Sequence, residues 1–174
     1  MKEKKGDILG VPVPNWVAPT SPDQMQWKDE MRGRYVRLEQ LQVARHCDDL
    51  FTAFAADTKN QIWDYLPYGP FASTADLASW MHASCAVSDP YFFAIIDQTS
   101  NQAVGVASYL RINPDGGSIE VGHINFAPVL QSTIGATEAM YLMMRWAFMA
   151  GYRRYEWKCT ALNLKSRRAA QRLS

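Results

Sequence analysis

The residues best suited to chemistry stand where a strand hands over to a helix, in Gln131-Ser132-Thr133-Ile134-Gly135-Ala136-Thr137-Glu138-Ala139. Small and hydroxyl-bearing residues gather there. The first turn of a helix has N–H groups with no intrahelical partner and a partial positive charge. A phosphate sits well at such a mouth, held by backbone donors. Gly135 and Ala136 leave room for a large anion. An ordinary capped helix, with Thr133 or Thr137 near its cap, accounts for the same residues. Upstream, His123 titrates near neutrality, which suits a proton acceptor and equally a hydrogen-bonded structural histidine.

These residues need elements to hold them. Tyr35 to Glu39 alternates apolar and charged side chains, as a half-buried strand does. From Val43 to Ala56, Ala44, Cys47, Leu50, Phe51 and Phe54 recur at helical spacing. After the loop holding Leu66-Pro67-Tyr68-Gly69-Pro70, Ser73 or Thr74 opens a second helix reaching about Cys85. Tyr91 to Ile96 has the aromatic and β-branched make-up of a central strand. Val104 to Arg111 and Ile119 to Phe126 form a hairpin around Asn113-Pro114-Asp115-Gly116-Gly117. Pro128 cannot donate to a ladder, so the second of these strands ends or bulges nearby.

Gly135 to Ala150 is a helix apolar on several sides, stopped by Gly151. Arg154 to Thr160 alternates again, and Asn163 or Ser166 opens a last helix. A strand–helix–strand passage from 119 to 160 implies a parallel pair. The whole is an α+β fold with a mixed central sheet. Residues 1–32, with Pro12, Pro14, Pro19 and Pro22, read as an extended arm whose Trp16 and Trp27 pack on a surface. Strict alternation places Glu120 on one strand face with Gly122, Ile124 and Phe126, and His123 on the other.

Composition narrows the classes. A chain of 174 residues with 48% hydrophobic content can bury a core as one domain. A net charge of +1, with no basic run beyond Lys2-Glu3-Lys4-Lys5, argues against nucleic acid as a partner. No apolar stretch approaches a membrane span, and the first residues lack a secretion signal, so the cytoplasm is expected. Cys47, Cys85 and Cys159 are too few and too scattered for a disulfide framework or a zinc site, and no metal is expected.

Three segments carry a resemblance. Glu120-Val121-Gly122-His123 follows a Pro-Asp-Gly-Gly turn. Ala136-Thr137-Glu138-Ala139 leads an apolar helix holding Trp146-Ala147-Phe148. Asn163-Leu164-Lys165-Ser166-Arg167-Arg168 fits Asn-x-x-Ser-x-Arg. Together, from about Arg34 to Ser174, they resemble the GNAT superfamily of N-acetyltransferases in its RimJ/RimL-like branch. Residues 33–174 then form the acyltransferase domain.

The resemblance implies that parallel strands Ile119–Phe126 and Arg154–Thr160 splay apart, with acetyl-CoA in the gap. Pantetheine would extend the sheet at a bulge near Phe126 and Ala127. The pyrophosphate would rest on Gln131 through Thr137, with Asn163, Ser166 and Arg168 also reaching the cofactor. Ile134 stands where the family's phosphate loop usually has its first Gly, which predicts a loop shifted by one residue or weakened cofactor binding. The family fold usually adds two strands after the Asn-x-x-Ser helix, whereas this sequence ends at Ser174. It is then a fragment, or its edge is covered by the arm or by a second protomer in a homodimer.

Acetyl transfer needs a base for the amine and a donor for the departing thiolate. Glu120 is the first candidate base, His123 the second, and Ser166 the candidate donor. Glu138 reads as a structural first-turn carboxylate. Asp64, Tyr65, Tyr68 and Phe71 would line the acceptor site, or form a buried aromatic cluster. The acceptor would be a protein N-terminal amine or a small amine. A non-catalytic acyl-CoA-binding or protein-interaction module of the same fold is the alternative.

Overall fold

The computed structural model describes residues 16–22 and 31–173. Six strands form one sheet in chain order: β1 (Met31–Arg32), β2 (Val36–Gln40), β3 (Tyr91–Asp97), β4 (Ala103–Asn113), β5 (Ser118–Phe126) and β6 (Arg154–Trp157). Neighbours are antiparallel except β5 and β6, which run parallel. Among the described residues four α-helices flank the sheet: α1 (Val43–Ala55), α2 (Thr74–Cys85), α3 (Ile134–Met149) and α4 (Leu164–Gln171). A 3-10 turn covers Gln61–Trp63.

Strand β3 shows why the sheet has a core on each face. Tyr91, Phe93 and Ile95 join Val36, Leu38, Tyr109, Val121, Met140 and Met143 under α3. Phe92, Ala94 and Ile96 join Leu41, Leu50, Phe54, Leu77 and Met81 under α1 and α2. A strand buried on both faces has no polar alternation, and each large apolar side chain so buried contributes roughly 1.5–3 kcal/mol. The crossover helix α3 links the parallel strands. It ends where Gly151 takes φ +103°, with Tyr152 N–H donating to Ala147 O at 3.0 Å.

Several boundaries differ from those the side-chain pattern predicts. Met31 and Arg32, expected in the arm, form β1 and pair with Leu38 and Arg37. Strand β6 ends at Trp157, not Thr160, because its pairing with β5 stops there. Of the arm's tryptophans, Trp27 lies outside the described residues. Trp16 donates to Gly151 O at 3.0 Å, lies under the Arg153 guanidinium, and fills space that a side chain at Gly117 would occupy. No described helix is long and apolar enough to cross a membrane.

Candidate active site

The site begins at a fork. Strands β5 and β6 pair from Ser118↔Arg154 to Val121↔Trp157 and no further, while β5 runs on to Phe126. Against β4 the register also shifts. Val106 faces Asn125 and Ser108 faces Gly122, so Ala107 opposes two residues, His123 and Ile124. This is a β-bulge, and His123 takes φ +50° within it.

The bulge lies at His123–Ile124, not near Phe126–Ala127 as predicted. Pro128 sits past the strand in the turn that follows, where the ladder asks nothing of its nitrogen. The extra residue also reverses the expected faces. Ile124 and Phe126 pack against the α3 core, while His123 packs against Phe92 and Tyr68 on the opposite side, with Glu120 and Gly122.

Beyond the fork lies the mouth of α3. Ala127 is buried, donates to Val104 O, and accepts from Leu130 and Gln131 N–H in a tight turn. Ser132 takes φ +61° and is exposed. Thr133 caps α3: its hydroxyl accepts from Ala136 N–H at 3.1 Å and donates to Leu130 O at 2.7 Å. Ile134 is the first helical residue, 65% exposed, so the loop's left-handed residue is Ser132. Gly135 is buried; a Cβ there would come within 3.0 Å of Val36 Cγ1. Its missing side chain brings helix and sheet together, while the first-turn amides of Ile134 and Gly135 face the mouth. Thr137 is half-buried in that turn.

Glu138 fixes where this mouth sits. Its carboxylate accepts from three successive amides, Arg34 N–H at 2.7 Å, Tyr35 N–H at 2.7 Å and Val36 N–H at 2.9 Å. A Cβ on Gly33 would collide with the same carboxylate. The start of α3 is thereby latched to the β1–β2 turn. Glu138 is structural, but it stands in the second turn of α3 rather than the first, and its partners are across the molecule rather than at the mouth of its own helix.

Two candidate bases have contrasting surroundings. Glu120, 4% exposed, holds Arg111 Nη1 at 2.6 Å on one oxygen and Lys158 Nζ at 2.7 Å on the other. Lys158 also meets Glu156 at 2.6 Å, so the ion pairs bridge β5 and β6 at the fork. His123 is stacked on Tyr68 with ring centres 5.6 Å apart, and its buried Nδ1 has no hydrogen-bond partner among the described residues. Burial, with Arg111 adding to it and Glu120 opposing, pushes its pKa below the ordinary histidine value. The imidazole is therefore neutral at pH 7. The Tyr68 hydroxyl and the Asn125 amide are likewise buried and unpartnered, and such groups call for a water or a ligand. Burial raises the Tyr68 pKa, keeping its hydroxyl protonated.

The other wall is α4 and the loops around it. Asn163 caps α4 by accepting from Ser166 N–H at 3.0 Å. Ser166 Oγ accepts from Trp157 Nε1–H at 2.8 Å, at the fork itself. Lys165 Nζ reaches Gln131 Oε1 at 3.4 Å, while Gln131 Nε2–H donates to Phe126 O at 3.0 Å. Arg168 is exposed on α4. The aromatic loop divides in two. Tyr68 and Phe71 join Trp63 and Trp80 in a packed cluster. Asp64 and Tyr65 are exposed, and Tyr65 donates to Leu162 O at 3.2 Å. Sequence reasoning missed Arg111, Lys158, Trp157 and Lys165. Only Lys165, inside the Asn-x-x-Ser segment, carried a signal.

Known proteins share this fold. Residues 36–174 match the acetyltransferase (GNAT) domain family. No curated protein matches the chain. A solved GCN5-related N-acetyltransferase from Brucella melitensis is 38% identical, with TM-score 0.84 over 92% of this chain and 71% of its own. A GNAT-family protein of Chromobacterium violaceum is 35% identical, with TM-score 0.83 over 94% of this chain and 80% of its own. The microcin C7 self-immunity acetyltransferase MccE, solved with acetyl-CoA and AMP, shares the fold at 18% identity, with TM-score 0.70 over 82% of this chain and 79% of its own.

Proposed function

Because the chain belongs to the GNAT acetyltransferase family, we propose that it moves an acetyl group from acetyl-CoA to a primary amine, either a protein N-terminus or a small molecule. The observation that carries the donor assignment is the fork. Past Val121 and Trp157 the facing edge of β5 has no partner on β6, and the pantetheine amides of CoA are suited to such a strand edge. The mouth of α3, with Ser132 in the left-handed region and the amides of Ile134 and Gly135, suits the pyrophosphate. Lys165 adds a cation beside it. MccE, of the same fold, was solved with acetyl-CoA. Membership of the RimJ/RimL-like branch rests on the three motifs alone, and a cytoplasmic setting is part of the same reading.

Acetyl-CoA supplies an activated thioester; the chain supplies placement and proton handling. The attacking amine must be neutral and must lose a proton. His123 is our choice for the acceptor of that proton, since its Nδ1 has no partner among the described residues and its ring is neutral at pH 7. Glu120 is the second choice, and its two cations argue for a role in holding the fork. Tyr68 and Phe71 would back the acceptor's apolar part, with Asp64 and Tyr65 at the rim.

The test is release of CoA thiol from acetyl-CoA with a mixed panel of peptide N-termini and small amines, beside calorimetry with CoA alone. Amine-dependent release is expected. Binding without release would favour the alternative, an acyl-CoA-binding module of the same fold, and no binding at all would sink both.

A further inference from the structure

We propose that Trp157 is a positioning residue, one that aims the hydroxyl proton of Ser166 into the slot between β5 and β6. The inference rests on the acetyl-transfer reading and names how the departing sulfur is met. Trp157 is the last residue of β6 to face β5, opposite Val121. Its indole Nε1–H donates to Ser166 Oγ at 2.8 Å. An indole N–H can only donate, so one lone pair of the serine oxygen is committed and the serine proton must point elsewhere.

Other hydroxyls here show where such a proton goes when the fold absorbs it. Ser79 donates to Ala75 O, four residues back, at 2.9 Å. Thr133 donates to Leu130 O at 2.7 Å and Ser108 to Gly122 O at 3.2 Å. Ser166 has no such acceptor among the described residues, although it sits half-buried in the first turn of α4 with its backbone N–H fixed by Asn163. A hydroxyl held by its oxygen at the apex of the fork, with its proton unclaimed, is a preorganised donor.

The chemistry balances with that donor. The amine nitrogen bonds to the acyl carbon, the carbon–sulfur bond breaks, and its electron pair goes to sulfur. Ser166 hydrogen-bonds the sulfur as that charge arrives. The proton that His123 removes from the amine balances the one the released thiol carries away.

Trp157→Phe keeps the ring and deletes the donor. It should lower kcat about tenfold, the worth of one hydrogen bond to a developing charge, with the KM for acetyl-CoA and the calorimetric affinity for CoA unchanged. In a Ser166→Ala background the same substitution should lower kcat no further. A readout free of turnover is solvent exchange of the Trp157 indole proton by NMR, which should be slow in the wild type and faster in Ser166→Ala. A wild-type kcat in Trp157→Phe would overturn the proposal, as would effects that multiply in the double variant, or an indole proton equally free in both proteins. Ser166→Ala probes the bond without disturbing β6, so equal exchange in the two proteins overturns the proposal even if Trp157→Phe folds poorly. Wild-type turnover with the amine panel reports on acetyl transfer itself, so the two ideas fail in visibly different ways.

Discussion

At the Ser118 end, β5 and β6 are joined by parallel pairs, by the Glu120–Lys158–Glu156 ion pairs, and by Trp16 lying across Gly117 and Gly151. Further along, β5 has left its partner and carries a bulge at His123–Ile124. There His123 and Asn125, with Tyr68 stacked on the histidine, hold buried polar atoms unpaired. One strand is thus stapled to β6 at one end and unpaired by it at the other. The stapled end is closed by its ladder and ion pairs and leaves the Tyr155 hydroxyl unpaired among the described residues, whereas the open end leaves an imidazole nitrogen and a whole amide so, and stability and activity should separate along the strand.

Substitutions at each end should therefore fail in different assays. The largest effect is expected at the open end. His123→Asn, a residue that tolerates the left-handed φ, should reduce kcat by about 10²- to 10⁴-fold, the range for losing a general base, while the urea midpoint falls only by what the lost ring packing on Tyr68 and Phe92 costs. An unchanged kcat would move the base elsewhere. Next comes the latch below the helix mouth. Glu138→Ala removes three charge-assisted bonds and should cost about 2–4 kcal/mol in chemical denaturation. It should also raise the KM for acetyl-CoA, because the mouth of α3 loses its anchor.

At the Gly117 end, Trp16 should register in stability alone. Trp16→Ala should cost about 1–3 kcal/mol through lost packing, with kcat untouched; a kinetic defect there would erase the contrast. The smallest effect is in pH. A base with a depressed pKa stays unprotonated further into acid, so the acidic limb of the kcat profile should fall below roughly pH 6.5, the ordinary histidine value. His46 is depressed too, mainly by burial, against Glu39 pulling upward. The unfolded chain takes up that proton near 6.5 while the fold resists it. Stability should therefore be full above that pH and decline below it, as thermal melts on either side of it would show.

The element order was readable because apolar periodicity is a local signal. Ser73, Asn163 and the Gly151 stop fall where the side chains predict. The site was less readable for physical reasons. A bulge held by His123 rather than glycine leaves no mark in the sequence, yet it swaps the face of every later side chain in β5. Gly135 looks like room for an anion, and in the fold it is room for Val36. Ile134 looked like a breach of the phosphate loop, but the left-handed residue is Ser132, so the β-branched side chain meets no strain. The alternation from Tyr155 to Cys159 says strand throughout, although pairing ends at Trp157, because alternation reports faces and not neighbours.

The Glu138 latch also bears on the chain's birth. Its partners precede it by 102 to 104 residues. At the usual pace of synthesis, the amides of Arg34, Tyr35 and Val36 wait about 5–20 s before their carboxylate is made. The first hairpin therefore cannot mature as the ribosome delivers it, and this edge of the sheet sets only once the crossover helix has been translated.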